Sequence, residues 1–391
     1  VSCLFSNKAF DAHNICRIAK EINPAIKIVM GGTHPTALPE ETLRDENVDI
    51  VIQGDGEYEM RCLAHGVAAS PPHPDLNKLP FPARHLLPMQ VYLNNPSPHS
   101  GQKRTPATTI TTSRGCPGRC SFCAIRTMWG DSFRMRSPEN VLAEIEHLIT
   151  TYGITEVHFE DDCLTANKKR AMAIFQGIID RKWDLSLSSP SGLAIFAMDE
   201  ELMEKMVEAG YYSFSFAIES GSQYVLEELM HKRVDLEKAK RLVAHARKLG
   251  VKTKAFWIVG YPGETKATMQ ETLDCAYAMG ADWNLFFPAT PLPGTEMLET
   301  CKRNNWLVDP DMDYRYLFFK PNIRTPEFGP DYVSAFEEMA NFTLNFRDNV
   351  NMRLGNYQRA IEDFGEVAKL YPSLEMAKKA LEMVSKVFHD E

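Results

Sequence analysis

Apolar and polar positions in the middle of the chain follow a repeating beat. A stretch with apolar residues three and four apart ends at a glycine, and an apolar run begins at once. The beat recurs at "TYGITEVHFE", "EAGYYSFSFAIE", "KLGVKTKAFWIVG" and "AMGADWNLFFPA". The first kind of stretch predicts an amphipathic helix, the second a strand. Gly153, Gly210, Gly250 and Gly280 stand where a left-handed residue closes a helix. Helix starts are marked as well, by Ser137 followed by Pro138, and by Asp235 ahead of Leu236, Ala239, Leu242, Val243 and Ala246 on one face. Strands covered by helices are expected to be apolar on both faces. From "ATTITT" at 107 to "WNLFFPAT", six such units predict an open parallel (β/α)6 barrel over residues 107–300.

A different beat precedes the barrel. "SCLFS", "DAHNICRIAKEI", "IKIVMGG", "ALPEETLRD" and "VDIVIQGDGE" read strand, helix, strand, helix, strand. Over residues 1–65 this is half of a Rossmann-like, doubly wound α/β domain. Residues 66–106 are proline-rich and predict a linker or wrapping segment with little helix or sheet of its own. Residues 301–391 turn helical. There Gly355, Tyr357, Ala360, Phe364 and Pro372 fall at the offsets of a tetratricopeptide second helix. One such unit cannot bury its own face, so it either continues in an array or packs on the barrel. The fold class is therefore α/β: a partial Rossmann-like domain, an open parallel barrel and a helical tail.

The 391 residues suffice for two or three cores, and 44% hydrophobic with 24% charged residues is an ordinary globular composition. A formal net charge of −9 argues against broad phosphate-backbone binding, so no nucleic-acid partner is expected. No apolar run reaches membrane-spanning length and no signal peptide opens the chain, which points to a cytoplasmic location. Val1 lies inside an expected strand, so the chain is read as a piece of a longer protein. Of nine cysteines, Cys3, Cys16, Cys62, Cys163, Cys275 and Cys301 sit in apolar or helical contexts and read as small buried hydrophobes.

The other three, Cys116, Cys120 and Cys123, crowd into "CPGRCSFC" just after the first barrel strand. Parallel barrels do chemistry at the C-terminal ends of their strands. A structural zinc site closes with four ligands, and an ordinary four-iron cluster takes four thiolates. Three thiolates on a loop bent by Pro117 and Gly118 leave one iron of a four-iron cluster open to a substrate or cofactor.

The spacing C-x3-C-x2-C after the first strand of such a barrel resembles that of radical S-adenosylmethionine (SAM) enzymes. The resemblance implies a 4Fe-4S cluster on Cys116, Cys120 and Cys123, with SAM chelated at the open iron and cleaved to a 5′-deoxyadenosyl radical. It implies that Phe122 meets the adenine through its backbone. It also implies that Glu160, Asp161 and Asp162, closing the second strand, receive the SAM amino group. Glu219 and Ser220, at the end of the fourth strand, would reach the SAM ribose or methionine part. Ile258 and Gly260 belong to the adenine-backing motif of the fifth strand. Glu264 falls one residue away from the family position and is read as structural. "ATPLPGT", with Gly294, is read as shaping the barrel mouth.

The front block is similar to cobalamin-binding domains. Ser2-x-Leu4 and Gly31-Gly32 resemble the pair of motifs that lines the slot for the nucleotide tail, where bare glycines allow close approach. "GGTHPT" and "IQGDGE" are likewise typical of cobalamin-dependent radical SAM proteins. The histidine that can replace the lower axial base belongs to a segment that would precede Val1, and His34 is read as a local helix cap. The chain alone is expected to hold cobalamin weakly. The resemblance implies methyl transfer to an unactivated carbon of a small-molecule or lipid substrate, with an electron donor such as flavodoxin or ferredoxin. The alternatives are an oxidative cyclase like that of anaerobic chlorophyll synthesis, a tRNA methylthiotransferase, and a non-catalytic iron–sulfur carrier. The methylthiotransferase would need a second cysteine set and a basic RNA module, and neither is seen.

Overall fold

The computed structural model describes residues 1–66, 73–94, 102–318 and 320–390. In the front block, β1 (Val29–Gly31) pairs in parallel with β2 (Ile50–Ile52), and Ser2 bridges to Gly31. The stretch expected as a first strand thus contributes a single bridge, followed by a 3-10 turn at Ser6–Lys8. The helix Ala9–Ile22 covers this small sheet, burying Ala9, Ala12 and Cys16 against Cys3, Ile28, Met30 and Val48.

The barrel strands are β3 (Ala107–Ile110), β6 (Glu156–Phe159), β7 (Ser186–Ser188), β9 (Tyr211–Glu219), β10 (Lys252–Val259) and β11 (Trp283–Pro288), and their spatial order is their chain order. All these pairings are parallel. The two-residue β8 (Leu193–Ala194) adds to β9, while β4 (Ser113–Arg114) and β5 (Arg134–Met135) form a separate antiparallel pair around the cysteine loop. The expected helix signals are in place. Ser137 accepts from the Asn140 amide with Pro138 at the first turn, Asp235 accepts from Lys238, and Gly153 closes its helix with φ of 65°.

The strands are not apolar on both faces. Thr253, Ala255, Trp257 and Val259 of β10 are buried beneath the outer helices. The alternate residues Lys254, Phe256 and Ile258 share the other face with Ser215 and Ala217 of β9 and with Trp283, Leu285 and Phe287 of β11. Ser188 registers with Ser213, and His158 with Ser188, so the same face continues through β7 and β6. A sheet curled into a barrel turns this face inward, and here the lumen is polar. At its lower end Glu156 is fully buried and accepts from His158 Nε2 (2.6 Å), the Tyr212 hydroxyl (2.8 Å) and the Lys103 amide (2.9 Å).

The described parts of the proline-rich stretch wrap the barrel. Arg84 binds Glu144 and the Thr109 carbonyl, and Met89 and Leu93 join the main core. The rest of that stretch, 67–72 and 95–101, lies outside the described residues. The tetratricopeptide-like helix Tyr357–Leu370 pairs with Glu375–Asp390, and the pair packs on the barrel through Phe346 and Trp283. Asp282 anchors it, accepting from Arg359 (2.6 Å), Asn351 (3.0 Å) and the Thr253 hydroxyl (2.8 Å) and pairing with Arg247.

Candidate active site

The loop from Cys116 to Cys123 leaves β4 at the barrel mouth and is fastened from three elements. Ser121 donates its amide to the Met230 carbonyl (2.9 Å) and its hydroxyl to the Leu229 carbonyl (2.7 Å). The Tyr261 hydroxyl lies 2.7 Å from the Ser121 hydroxyl, and the Met297 amide donates to the Ser121 carbonyl (2.9 Å). Within the loop two of the three sulfurs, those of Cys116 and Cys120, lie beside Gly118. Its amide donates to Cys116 Sγ (3.3 Å), and a Cβ there would lie 3.3 Å from Cys116 Sγ and 3.8 Å from Cys120 Sγ. Burial raises the Cys120 thiol and pushes Cys123 up to about 12. Cys116 is drawn down to about 7, chiefly by a hydrogen bond from Cys163. Three thiols on one bent loop, with a cation nearby, fit a cluster held at three corners.

That cation is Lys232, which the sequence reading missed. Its ammonium lies 3.3 Å from Glu219 and 5.7 Å from the centre of the Phe122 ring, and its side chain is 12% exposed. Its charge acts on all three loop cysteines. Glu219 carries the strain of φ 78° at the bulged end of β9, a backbone region that non-glycine residues occupy at functional sites. Cys163, read as a plain core residue, is buried but sits against Cys116.

The three acidic residues after β6 separate. Asp161 is buried and accepts from the Thr112 amide (3.1 Å), the Thr112 hydroxyl (2.7 Å) and the Ser113 hydroxyl (2.5 Å), with its carboxyl raised by burial. Asp162 accepts from the Gly115 amide (2.8 Å) at the start of the cysteine loop. Both brace the loop. Among the described residues Glu160 accepts from the Ser191 hydroxyl alone (2.6 Å), so it keeps acceptor capacity that Asp161 and Asp162 have committed to the loop.

Other expected residues also divide. Phe122 lies by Glu219 and Lys232, edge-on to Tyr261. Ile258 faces the lumen opposite Phe287. Ser220 is turned inward, with its hydroxyl 3.1 Å from that of Thr272, so its side chain points away from the mouth. Gly260, at φ 74°, is required by packing, because a Cβ would strike Val333 at 2.7 Å. Gly294 is similarly pressed against Thr127. Glu264 is buried, accepts from the Tyr261 amide (2.7 Å), and is pushed up to about 8 by that burial.

In the front block Ser2 and Leu4 are exposed and alternate with buried Cys3. Gly32 has φ 108° and a Cβ there would lie 2.5 Å from the Cys3 carbonyl oxygen, so packing alone demands that glycine. Gly31 differs: a Cβ would meet nothing closer than 3.5 Å, so packing does not demand a glycine there. Ser2, Leu4 and Gly31 thus leave an accessible, unobstructed edge at the small sheet. His34 does not cap its helix. It is buried, 3.1 Å from the Ser6 hydroxyl and edge-on to Tyr314, and burial lowers it to about 4.

The two domains are clasped beside the cysteine loop. Asp55 pairs with Arg114 and with Arg134 (2.7 Å), and His73 lies 3.0 Å away. Glu57 also pairs with Arg114, and both arginines cover the Trp129 ring. "IQGDGE" thus grips the residue two places before Cys116.

The Radical SAM superfamily matches residues 110–276 and the B12 binding domain matches residues 1–64. The chain is 32% identical over 407 residues to the cytidylyl-2-hydroxyethylphosphonate methyltransferase of Streptomyces wedmorensis, covering 90% of this chain and 74% of that protein. Its fold is similar to that of TsrM from Kitasatospora setae, a radical SAM methyltransferase solved with cobalamin and its iron–sulfur cluster. The TM-score is 0.66 at 18% identity, over 87% of this chain and 79% of that one. The cobalamin-dependent SAM radical enzyme OxsB, solved with aqua-cobalamin and SAM, gives a TM-score of 0.69 at 14% identity, over 99% of this chain and 66% of that one.

Proposed function

This chain belongs to the cobalamin-binding radical SAM enzymes, and from that membership we propose that it methylates an unactivated carbon of a small-molecule or lipid substrate. When bound, the cluster and SAM supply a 5′-deoxyadenosyl radical and cobalamin supplies the methyl group. The observation that carries the reading is the clasp of Asp55 and Glu57 on Arg114, which joins a tail-binding slot and a three-thiol loop in one unit.

The protein's own groups have separable tasks. Cys116, Cys120 and Cys123 would hold the cluster, and Asp162 fixes the start of their loop by accepting from the Gly115 amide. Glu160 would accept from the SAM ammonium, and Glu219 would reach the SAM ribose or methionine part. Lys232 offsets the negative charge gathered by thiolates and Glu219 in a site of low exposure. Ser2, Leu4 and Gly31 line the slot for the cobalamin tail. A reduced flavodoxin or ferredoxin delivers the electron.

The test is a product tally. Methyl transfer consumes one SAM for the radical and a second to restore the methyl donor. Reduced protein supplied with cobalamin and its substrate should therefore release 5′-deoxyadenosine and S-adenosylhomocysteine in equal amounts. 5′-Deoxyadenosine without S-adenosylhomocysteine would replace methylation with cyclisation or another radical outcome.

A further inference from the structure

The polar lumen contains one cation that its surroundings leave unused. Lys254 lies midway along β10, is partly buried, and makes no hydrogen bond or ion pair among the described residues. Its neighbour on the same strand face, Lys252, is fully engaged, pairing with Asp363 at 3.3 Å and with Glu366. Two hydroxyls share Lys254's face. Ser215 is its register partner on β9, and Ser213 is one step below. Both serines are largely buried, and among the described residues neither hydroxyl has a hydrogen-bond partner, while neither oxygen is fully sealed from the lumen. Donors in register on the lumen face that no protein acceptor engages are available to a ligand. The nearby carboxylates are committed elsewhere. Glu156 is satisfied by His158, Tyr212 and backbone amides, and Asp363 and Glu366 by Lys252.

We propose that Lys254, Ser213 and Ser215 form an oxyanion receptor in the barrel lumen, which binds an acidic group of the substrate. The inference rests on the methyltransferase reading for the identity of the occupant as substrate, but not for the anion site itself. An ammonium and two hydroxyls on neighbouring strands supply convergent donors without an acceptor, which suits a phosphonate, phosphate or carboxylate. Lys254 lies four residues below Ile258, about 13 Å along the strand at 3.3 Å per residue. The acidic group and the carbon presented at the mouth are then opposite ends of one elongated molecule. Phe256, between the two on the same face and so close to Gly192 that a Cβ there would come within 3.1 Å of its ring, supplies an apolar wall for the middle of that molecule.

The rival account makes Lys254 a spare positive charge that balances Asp363 and Glu366 across the barrel floor, with no ligand. Titration with methylphosphonate and, separately, with acetate decides between the two accounts, read by calorimetry on the cluster-loaded protein without SAM. The receptor predicts saturable binding of at least one of these anions, and the tighter of the two identifies the class of acid. It also predicts at least a tenfold loss in Lys254→Met, partial recovery in Lys254→Arg, and a several-fold loss in the double variant Ser213→Ala, Ser215→Ala, which leaves every charge in place. The double variant decides the matter even if Lys254→Met does not fold. No saturable binding to the wild type, or binding as tight in the double variant as in the wild type, overturns the proposal. Release of 5′-deoxyadenosine by the wild type is measured separately, so failure of the radical chemistry and failure of the receptor give different results.

Discussion

At the scale of single residues, the cysteine triad could be proposed as a ligand set from sequence because all three thiols lie within one loop and their spacing is a local fact. Lys232 was not, because it stands over a hundred positions from the triad and only the return of the chain after β9 brings it to Phe122 and Glu219. The trio of acids after β6 misled for the opposite reason. Neighbours in sequence point different ways at a strand end, so Asp161 and Asp162 bind backbone amides while Glu160 stays open. Glu264, read as structural, is buried with one oxygen that has no partner. Burial favours its neutral form and raises it to about 8. A carboxyl raised in the folded state binds its proton more tightly there than when unfolded. Its contribution is therefore fully present below the ordinary carboxyl range and is lost as pH rises toward 8. Glu264→Gln removes that titration while keeping an acceptor for the Tyr261 amide. Thermal unfolding from pH 5 to pH 8.5 should show the wild type losing stability relative to the variant as pH rises. A constant difference across that range would mean that Glu264 does not titrate there.

At the scale of elements, the helix–glycine–strand beat gave the order of the barrel strands because each signal is local. What it could not give was the side of each strand that faces inward. The expectation of strands apolar on both faces treats the sheet as flat. Curling it encloses one face, and Ser188, Ser213, Ser215, His158 and Lys254 fall there. The attachment of the C-terminal helices was equally invisible, since nothing near Tyr357–Leu370 in sequence names its partner. Asp282 supplies it, 2% exposed and shared by two arginines, an asparagine and a threonine from different elements. Removing one member of a buried charged network leaves the others uncompensated. Asp282→Ala should cost about 3–5 kcal/mol of stability in urea unfolding and loosen the terminal helix pair. A loss below about 1 kcal/mol would show that Arg247 and Arg359 are satisfied without it.

At the scale of the whole molecule, the clasp beside the cysteine loop joins the domains. Burial would raise Asp55, but hydrogen bonds from His73, Arg134 and Arg114 outweigh it and hold the carboxyl below its usual range. The clasp therefore persists at neutral pH and weakens only as acid protonates Asp55. It fixes the small sheet of the B12 binding domain relative to Cys116–Cys123, which is the arrangement two cofactors need if they are to act on one carbon. The described residues contain no helix long and apolar enough to cross a membrane. The central claim is that three thiolates hold a cluster whose remaining iron opens SAM. The most direct measurement is the release of 5′-deoxyadenosine from SAM by anaerobically reconstituted, reduced protein, compared between the wild type and Cys120→Ala, with iron and sulfide counted in each. The account predicts four iron and four sulfide per chain with 5′-deoxyadenosine release in the wild type, and neither a full cluster nor the nucleoside in the variant. A full cluster in Cys120→Ala, or a full cluster in the wild type that leaves SAM intact on reduction, would contradict it.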